Sequence, residues 1–233
     1  MKQIWILDGK PIQVELILSD RKTSYIAVMP DMTIEYRANL ETQWTDAKAI
    51  LDRKSGLIRK KISFFEQFNP KPPEHKYENG ETFYYIGRQY RLKIIASRQS
   101  RLRLMGKWFI AELPNPENTD KVKKMMDKWL RDKALSRITE RFQIYYEMLS
   151  HRIKEKPALS FRRMKKRWGS CSQDRILLNT ELIKTPIICI DYIIVHELCH
   201  VIYPKHSKAF YRRLSQIMPD WKQRKNRLER SII

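Results

Sequence analysis

The chain has 233 residues, 42% hydrophobic and 11% aromatic, enough for a real core in one large domain or in a small domain beside a medium one. No stretch approaches the ~20 consecutive apolar residues of a membrane helix, and the apolar run at residues 4–7 is too short for the core of a signal peptide, so no membrane partner is expected. Lys+Arg 47 against Asp+Glu 26 gives +21, a field that attracts polyanions such as nucleic acid or a phosphorylated small molecule, although a solvated basic surface gives the same count.

Residues 4–7, 12–18, 24–29 and 33–38 read as strands separated by turn residues such as Asp8-Gly9 and Pro30-Asp31. Ile12, Val14, Leu16 and Leu18 alternate with Gln13 and Glu15, the pattern of a half-buried strand. Helical spacing of Trp44, Ala47, Leu51, Ile58, Ile62 and Phe65 predicts a helix over about 45–68, stopped by Asn69-Pro70-Lys71-Pro72-Pro73. A second strand set follows at 82–86, 90–95, 101–104 and 108–111, with Gly87-Arg88 and Met105-Gly106 as hairpin turns. A long helix is expected over about 119–153, its Met and aromatic stripe read as core. Residues 159–164 and 176–178 read as strands around Trp168-Gly169-Ser170-Cys171. Thr185-Pro186 starts a helix, and a last helix spans about 207–218. The sequence shows no internal repeat. Three cysteines, Cys171, Cys189 and Cys199, argue against a disulfide framework and fit a reducing cytosol, so the expected location is cytoplasmic.

The most specific chemistry lies in Val195-His196-Glu197-Leu198-Cys199-His200, an H-E-x-x-H motif with His206 six residues beyond. Positions i and i+4 share a helix face, so His196 and His200 reach one metal ion and Glu197 stands beside them to act on its water. The run from Ile187 to Val195 is apolar nearly all round, which makes the helix a buried one. Buried His and Glu are costly unless satisfied, and three of the five histidines fall in this one segment. Two histidines hydrogen-bonded into a core, with a surface His206, is the structural alternative. Three nitrogen ligands with an open fourth position suit a catalytic Zn2+, one per chain. Cys199 sits about 100° round the helix from His200 and reads as a buried structural thiol.

These residues are linked in order to others: Arg163-Met164-Lys165-Lys166-Arg167-Trp168-Gly169-Ser170-Cys171-Ser172, Ile176-Leu177-Leu178-Asn179, the H-E-x-x-H helix, and His206-Ser207-Lys208-Ala209-Phe210. Together they resemble the YgjP-like metallopeptidase family, related to the SprT and WLM groups. The resemblance implies an α+β fold with a zincin-like C-terminal metallopeptidase domain over 116–233 and a β-rich N-terminal portion, with one helix, over 1–115. It implies His196, His200 and His206 as metal ligands, Glu197 as catalytic residue, and peptide hydrolysis as the reaction. The spacing also equals that of metzincins, but Tyr203 stands where those have Gly.

Residues 176–179 are expected as a substrate-facing edge strand, with Leu178 and Asn179 at the substrate. Trp168 and Ser170 belong to a turn that shapes the site, and Arg167 ends a basic segment that would favour an anionic or DNA-bound substrate. An ordinary core strand, a packing corner and a solvated helix are the structural alternatives. Two other functions fit the motif: a metal-dependent phosphohydrolase acting on a nucleotide, and a DNA-associated protein with a structural zinc, for which Glu197 would have no use. The expected partner is a protein or peptide substrate, with nucleic acid or nucleotide through the basic surface.

Overall fold

A computed structural model describes residues 1–29, 31–66, 74–164, 167–172 and 174–231. The fold is α+β and forms two compact units, one up to residue 66 and one from residue 74. No helix among the described residues is long and apolar enough to cross a membrane.

The first unit carries β1 (Lys2–Leu7), β2 (Lys10–Leu18), β3 (Tyr25–Val28) and β4 (Ile34–Ala38) in the order β1-β2-β4-β3. The alternation in β2 buries Ile12, Val14 and Leu16 and leaves Gln13 and Glu15 in solvent, as its period of two requires. These strands share a core with Ala47 and Leu51 of α1 (Trp44–Arg53) and Ile58 and Ile62 of α2 (Ser55–Glu66). The single helix expected here is two. Lys54 leaves helical geometry at φ −100°, ψ 7°, just before Ser55-Gly56, a pair with weak helix propensity. The expected stop at Asn69–Pro73 falls outside the described residues.

The second unit opens with β5 (Thr82–Tyr85), β6 (Arg88–Ala96), β7 (Arg101–Met105) and β8 (Trp108–Leu113), ordered β5-β6-β8-β7. The sequence reading grouped these strands with the N-terminal portion. In the structure Phe83, Tyr85, Leu92 and Phe109 belong to the same buried cluster as Val122, Met126 and Ile138 of α3 (Thr119–Leu149), within the second compact unit. Buried residues of α3 recur mostly every four positions, and the side chain of Asn118 caps it by accepting from the Lys121 N–H at 2.9 Å. A second sheet joins β9 (Ala158–Arg162), β10 (Gly169–Cys171) and β11 (Arg175–Asn179) in the order β10-β11-β9. Then come α4 (Ile187–Ile202), α5 (Lys208–Ile217) and α6 (Trp221–Arg230).

The two four-stranded sheets repeat one topology, which the sequence did not reveal. In each, an antiparallel hairpin is followed by a parallel pairing to the fourth strand and an antiparallel pairing to the third. Both hairpins turn on two residues with positive φ, Asp8-Gly9 (51°, 77°) and Ile86-Gly87 (49°, 73°), the left-handed pair that matches strand twist. The second turn is therefore one residue earlier than the expected Gly87-Arg88.

That turn also positions the helix bearing the histidines. The Ile86 and Gly87 N–H groups donate to the carbonyls of Ile183 (2.8 Å) and Lys184 (3.1 Å), in the helical turn Thr180–Lys184 that leads to α4. A Cβ on Gly87 would lie 2.7 Å from Pro186 Cγ and 2.8 Å from its Cα. Gly87→Ala combines a left-handed φ with a backbone clash, and should cost about 2–4 kcal/mol. Gly106→Ala, at φ +55° with open space around it, should cost about 1 kcal/mol or less. Urea unfolding of both variants gives the comparison; equal losses would mean that the Pro186 contact contributes nothing.

Candidate metal centre

Pro186, at ψ 147°, is the residue that caps the start of α4, and because it lacks an N–H it leaves no unsatisfied donor there. From Cys189 to Val195 every side chain is buried. His196 and His200 follow at i and i+4 on the side of α4 that meets α5. Tyr203 stops the helix in an extended conformation (φ −127°, ψ 92°), and Ser207 caps α5, its Oγ accepting from the Phe210 N–H at 3.3 Å. The short connection between the two helices brings His206 back over α4.

The outcome is a convergence of three nitrogens. His206 Nε2 lies 3.0 Å from His200 Nε2 and 3.1 Å from His196 Nε2, and the ligating atoms of the three residues all lie within 4.8 Å of one another. Nitrogens about 3.3 Å apart surround a zinc ion at its usual bond length of about 2.0–2.1 Å in tetrahedral geometry, so the donor set fits such an ion. The tautomer agrees at His200: the Tyr203 carbonyl, 3.2 Å from Nδ1, accepts a hydrogen bond only if Nδ1 carries the proton, which leaves the Nε2 lone pair facing the other rings. Burial, with the nearby imidazoles and Lys225, lowers the His196 pKa to about 3, and the same influences lower that of His206. Both are therefore held neutral, the state that binds metal. Nδ1 of His196 is buried and has no hydrogen-bond partner among the described residues.

Phe210 is the part of the centre that sequence reading did not find. Its buried ring lies 5.1, 4.6 and 4.8 Å, centroid to centroid, from those of His196, His200 and His206. One apolar wall thus supports all three imidazoles. Its only sequence signal is the i, i+4 spacing from His206.

Glu197 is 5% exposed. Burial raises its pKa to about 7, against the opposing pull of Arg167. It lies under β10: a Cβ built on Gly169 would be 2.6 Å from Glu197 Oε1 and 2.9 Å from Cγ. Gly169 has no positive φ, so the need for glycine there is this contact and not a turn. The segment expected to be only a turn is a strand, Gly169–Cys171, paired antiparallel with Leu178–Ile176.

That pairing corrects the expected substrate strand. Residues 175–179 form the central strand β11, flanked by β10 and β9; the sheet edge against Glu197 is β10. Leu178 is fully buried in the core. Asn179 uses its amide inside the protein: Nδ2 donates to the carbonyls of Met164 (2.7 Å) and Arg167 (2.9 Å), and Oδ1 accepts from the N–H groups of Met164 (3.2 Å) and Glu181 (3.1 Å). Both side chains are buried, and the Asn179 amide ties Met164 and Arg167 to β11. Trp168 packs against the core, its carbonyl accepting from the Asn179 N–H at 2.9 Å. Ser170 lies half-buried on β10 opposite Leu177, and Arg167 is exposed near Glu197. Burial pushes the thiols of Cys171 and Cys199 up to about 11, which leaves both as thiols.

Residues 22–231 match the YgjP-like metallopeptidase domain, and the chain belongs to that family. The match takes in residues of both compact units, including β3 to β8, and begins after β2. No curated protein and no solved structure matches the chain.

A carboxylate whose pKa is raised on folding stabilises the folded state below its ordinary value of 4.5 and loses that contribution as pH rises through about 7. In protein stripped of metal, Glu197→Gln should therefore be more stable than wild type at pH 8, by up to about 3 kcal/mol, with the gain shrinking toward pH 5. Denaturant unfolding at the two pH values tests this; no gain at pH 8 would mean that the carboxylate is well solvated.

Proposed function

We propose that this protein is a zinc-dependent peptidase in which His196, His200 and His206 hold the ion and Glu197 is the general base. The observation that carries the reading is the pairing of two unlike environments. Three imidazoles converge on one point, and the adjacent carboxylate is buried deeply enough that the pull of Arg167 does not bring its pKa below about 7. When bound, zinc lowers the pKa of a water toward ~7 and polarises a carbonyl. A carboxylate with a pKa of about 7 both accepts a proton from the attacking water and returns it to the leaving amine at neutral pH, since a general base works best near the operating pH. The free edge of β10 runs beside that carboxylate, and an extended peptide pairing with it would bring its backbone to Glu197. Gly169 leaves the carboxylate its place, and Arg167 stands at the mouth.

Glu197→Gln should keep zinc, by metal analysis, and lose about 10²–10⁴-fold in peptide hydrolysis. Gly169→Ala should also keep zinc and fold, while displacement of Glu197 by about 1 Å costs on the order of 10²-fold in rate. His206→Ala should lower the zinc content; full occupancy in that variant would remove His206 from the ligand set. Hydrolysis of nucleoside triphosphates, but of no peptide, would replace the peptidase reading with the phosphohydrolase one.

A further inference from the structure

A groove of about 500 Å3 lies between α5 and α6, lined by Lys208, Tyr211, Arg212, Ser215, Trp221 and Lys222. It is continuous with the metal centre through stacked rings. The His206 and Tyr211 rings lie 5.9 Å apart at 20°, and those of Tyr211 and Trp221 5.4 Å apart at 23°. The indole is fixed by its Nε1–H, which donates to Ser215 Oγ at 2.9 Å, and Lys222 Nζ lies 5.7 Å from its ring centroid.

The charge of this lining is one-sided. Three of its six residues are cations and none is an anion. The nearest acid in sequence, Asp220, is engaged by Arg224 at 2.9 Å. Among the described residues, Lys208, Arg212 and Lys222 form no ion pair, unlike Lys128, Arg137, Arg141 and Lys184 elsewhere in the unit. Cations gathered round an aromatic wall repel one another, and the arrangement is best satisfied by an anion with an apolar stem. A glutamate side chain has that form: methylenes against the rings, carboxylate to the guanidinium fork of Arg212.

We propose that this groove is a substrate subsite for an acidic side chain, and hence that the peptides cleaved carry Glu or Asp within about three residues of the scissile bond. The proposal rests on the peptidase reading above. The reach follows from the two ring-to-ring steps, which about three extended residues span at roughly 3.3 Å each. A volume of 500 Å3 has room for an acidic side chain with its flanking peptide, being the size of a small-ligand pocket, whereas nucleic acid needs a track of cations along its backbone.

The test uses two fluorogenic peptides identical except for Glu or Gln flanking the scissile bond, and the full zinc-loaded chain. Wild type should favour the Glu peptide by at least about tenfold in kcat/KM, as expected when a charged group is bound by hydrogen-bonded partners. Lys208→Glu/Arg212→Glu should reduce that ratio below about twofold. An equal charge change on α3, Lys124→Glu/Arg131→Glu, should leave it intact. Lys222→Gln, on the other helix, should lower the ratio in a protein whose fold is checked by circular dichroism. A ratio unaffected in the groove variants, or lost equally in the α3 control, overturns the subsite. Fluorescence anisotropy of the labelled peptides with the Glu197→Gln protein reads the same preference without turnover. If wild type cleaves no peptide the peptidase reading fails, and the binding ratio still decides the groove. Displacement of the Glu peptide by a single-stranded oligonucleotide, lost in the groove variants, would make the site one for nucleic acid instead.

Discussion

The structure around the site depends on enclosing α4. A helix apolar on every face has no side it can offer to water, so it must be covered all round. In the second unit α3, α5, α6 and the sheet β10-β11-β9 all supply buried residues to the cluster that contains it. Burial at Ile193 and Ile194 is thus what brings separate parts of the chain to one place. The half-exposed positions of the motif, His196 and His200, lie where α4 meets the returning segment with His206. The face that carries these imidazoles is the opening left in an otherwise closed surround.

Two carboxylates ride on that helix and are treated in opposite ways. Asp191, 3% exposed, receives a two-pronged ion pair from Arg141, both bonds at 2.7 Å, with Arg224 at 3.8 Å. This ties α3, α4 and α6 together, and truncating one partner would leave a buried charge uncompensated. Glu197, buried to a similar degree, receives no such two-pronged ion pair among the described residues, and its pKa rises to about 7. If stability alone decided, the second carboxylate would be paired like the first. An unpaired buried acid next to convergent imidazoles is a cost to folding that makes sense as chemistry.

What the sequence made legible was local. The H-E-x-x-H spacing fixes two histidines on one face because the helix period is fixed, and the period-two pattern of β2 fixes its buried side. The contacts that complete the site are not local. Gly169 reads as a turn glycine until Glu197 is seen against its Cα, and Phe210 reads as an ordinary core residue until three imidazoles are seen around it. The expectation of residues 176–179 as a substrate-facing edge strand failed for the same reason: strand order depends on pairings between residues far apart, and Asn179 looks like a binding residue until its four hydrogen bonds are traced to Met164, Arg167 and Glu181. The repeated four-strand topology was equally hidden, since strand order and turn geometry tolerate replacement of Asp8 by Ile at the matching position 86.

The excess positive charge also acts on the histidines, beyond any attraction it exerts on partners. Lys225 lowers the pKa values of His196 and His206, reinforcing the larger effect of burial. A basic surround therefore opposes protonation of the imidazoles, and proton competition for the metal site weakens accordingly. The same field works against Glu197 by favouring its charged form, as Arg167 does, so the acid needs deep burial to keep its pKa near neutrality. Burial is thus the larger influence on both kinds of group, raising Glu197 and lowering His196 and His206, while nearby positive charge reinforces the second shift and opposes the first.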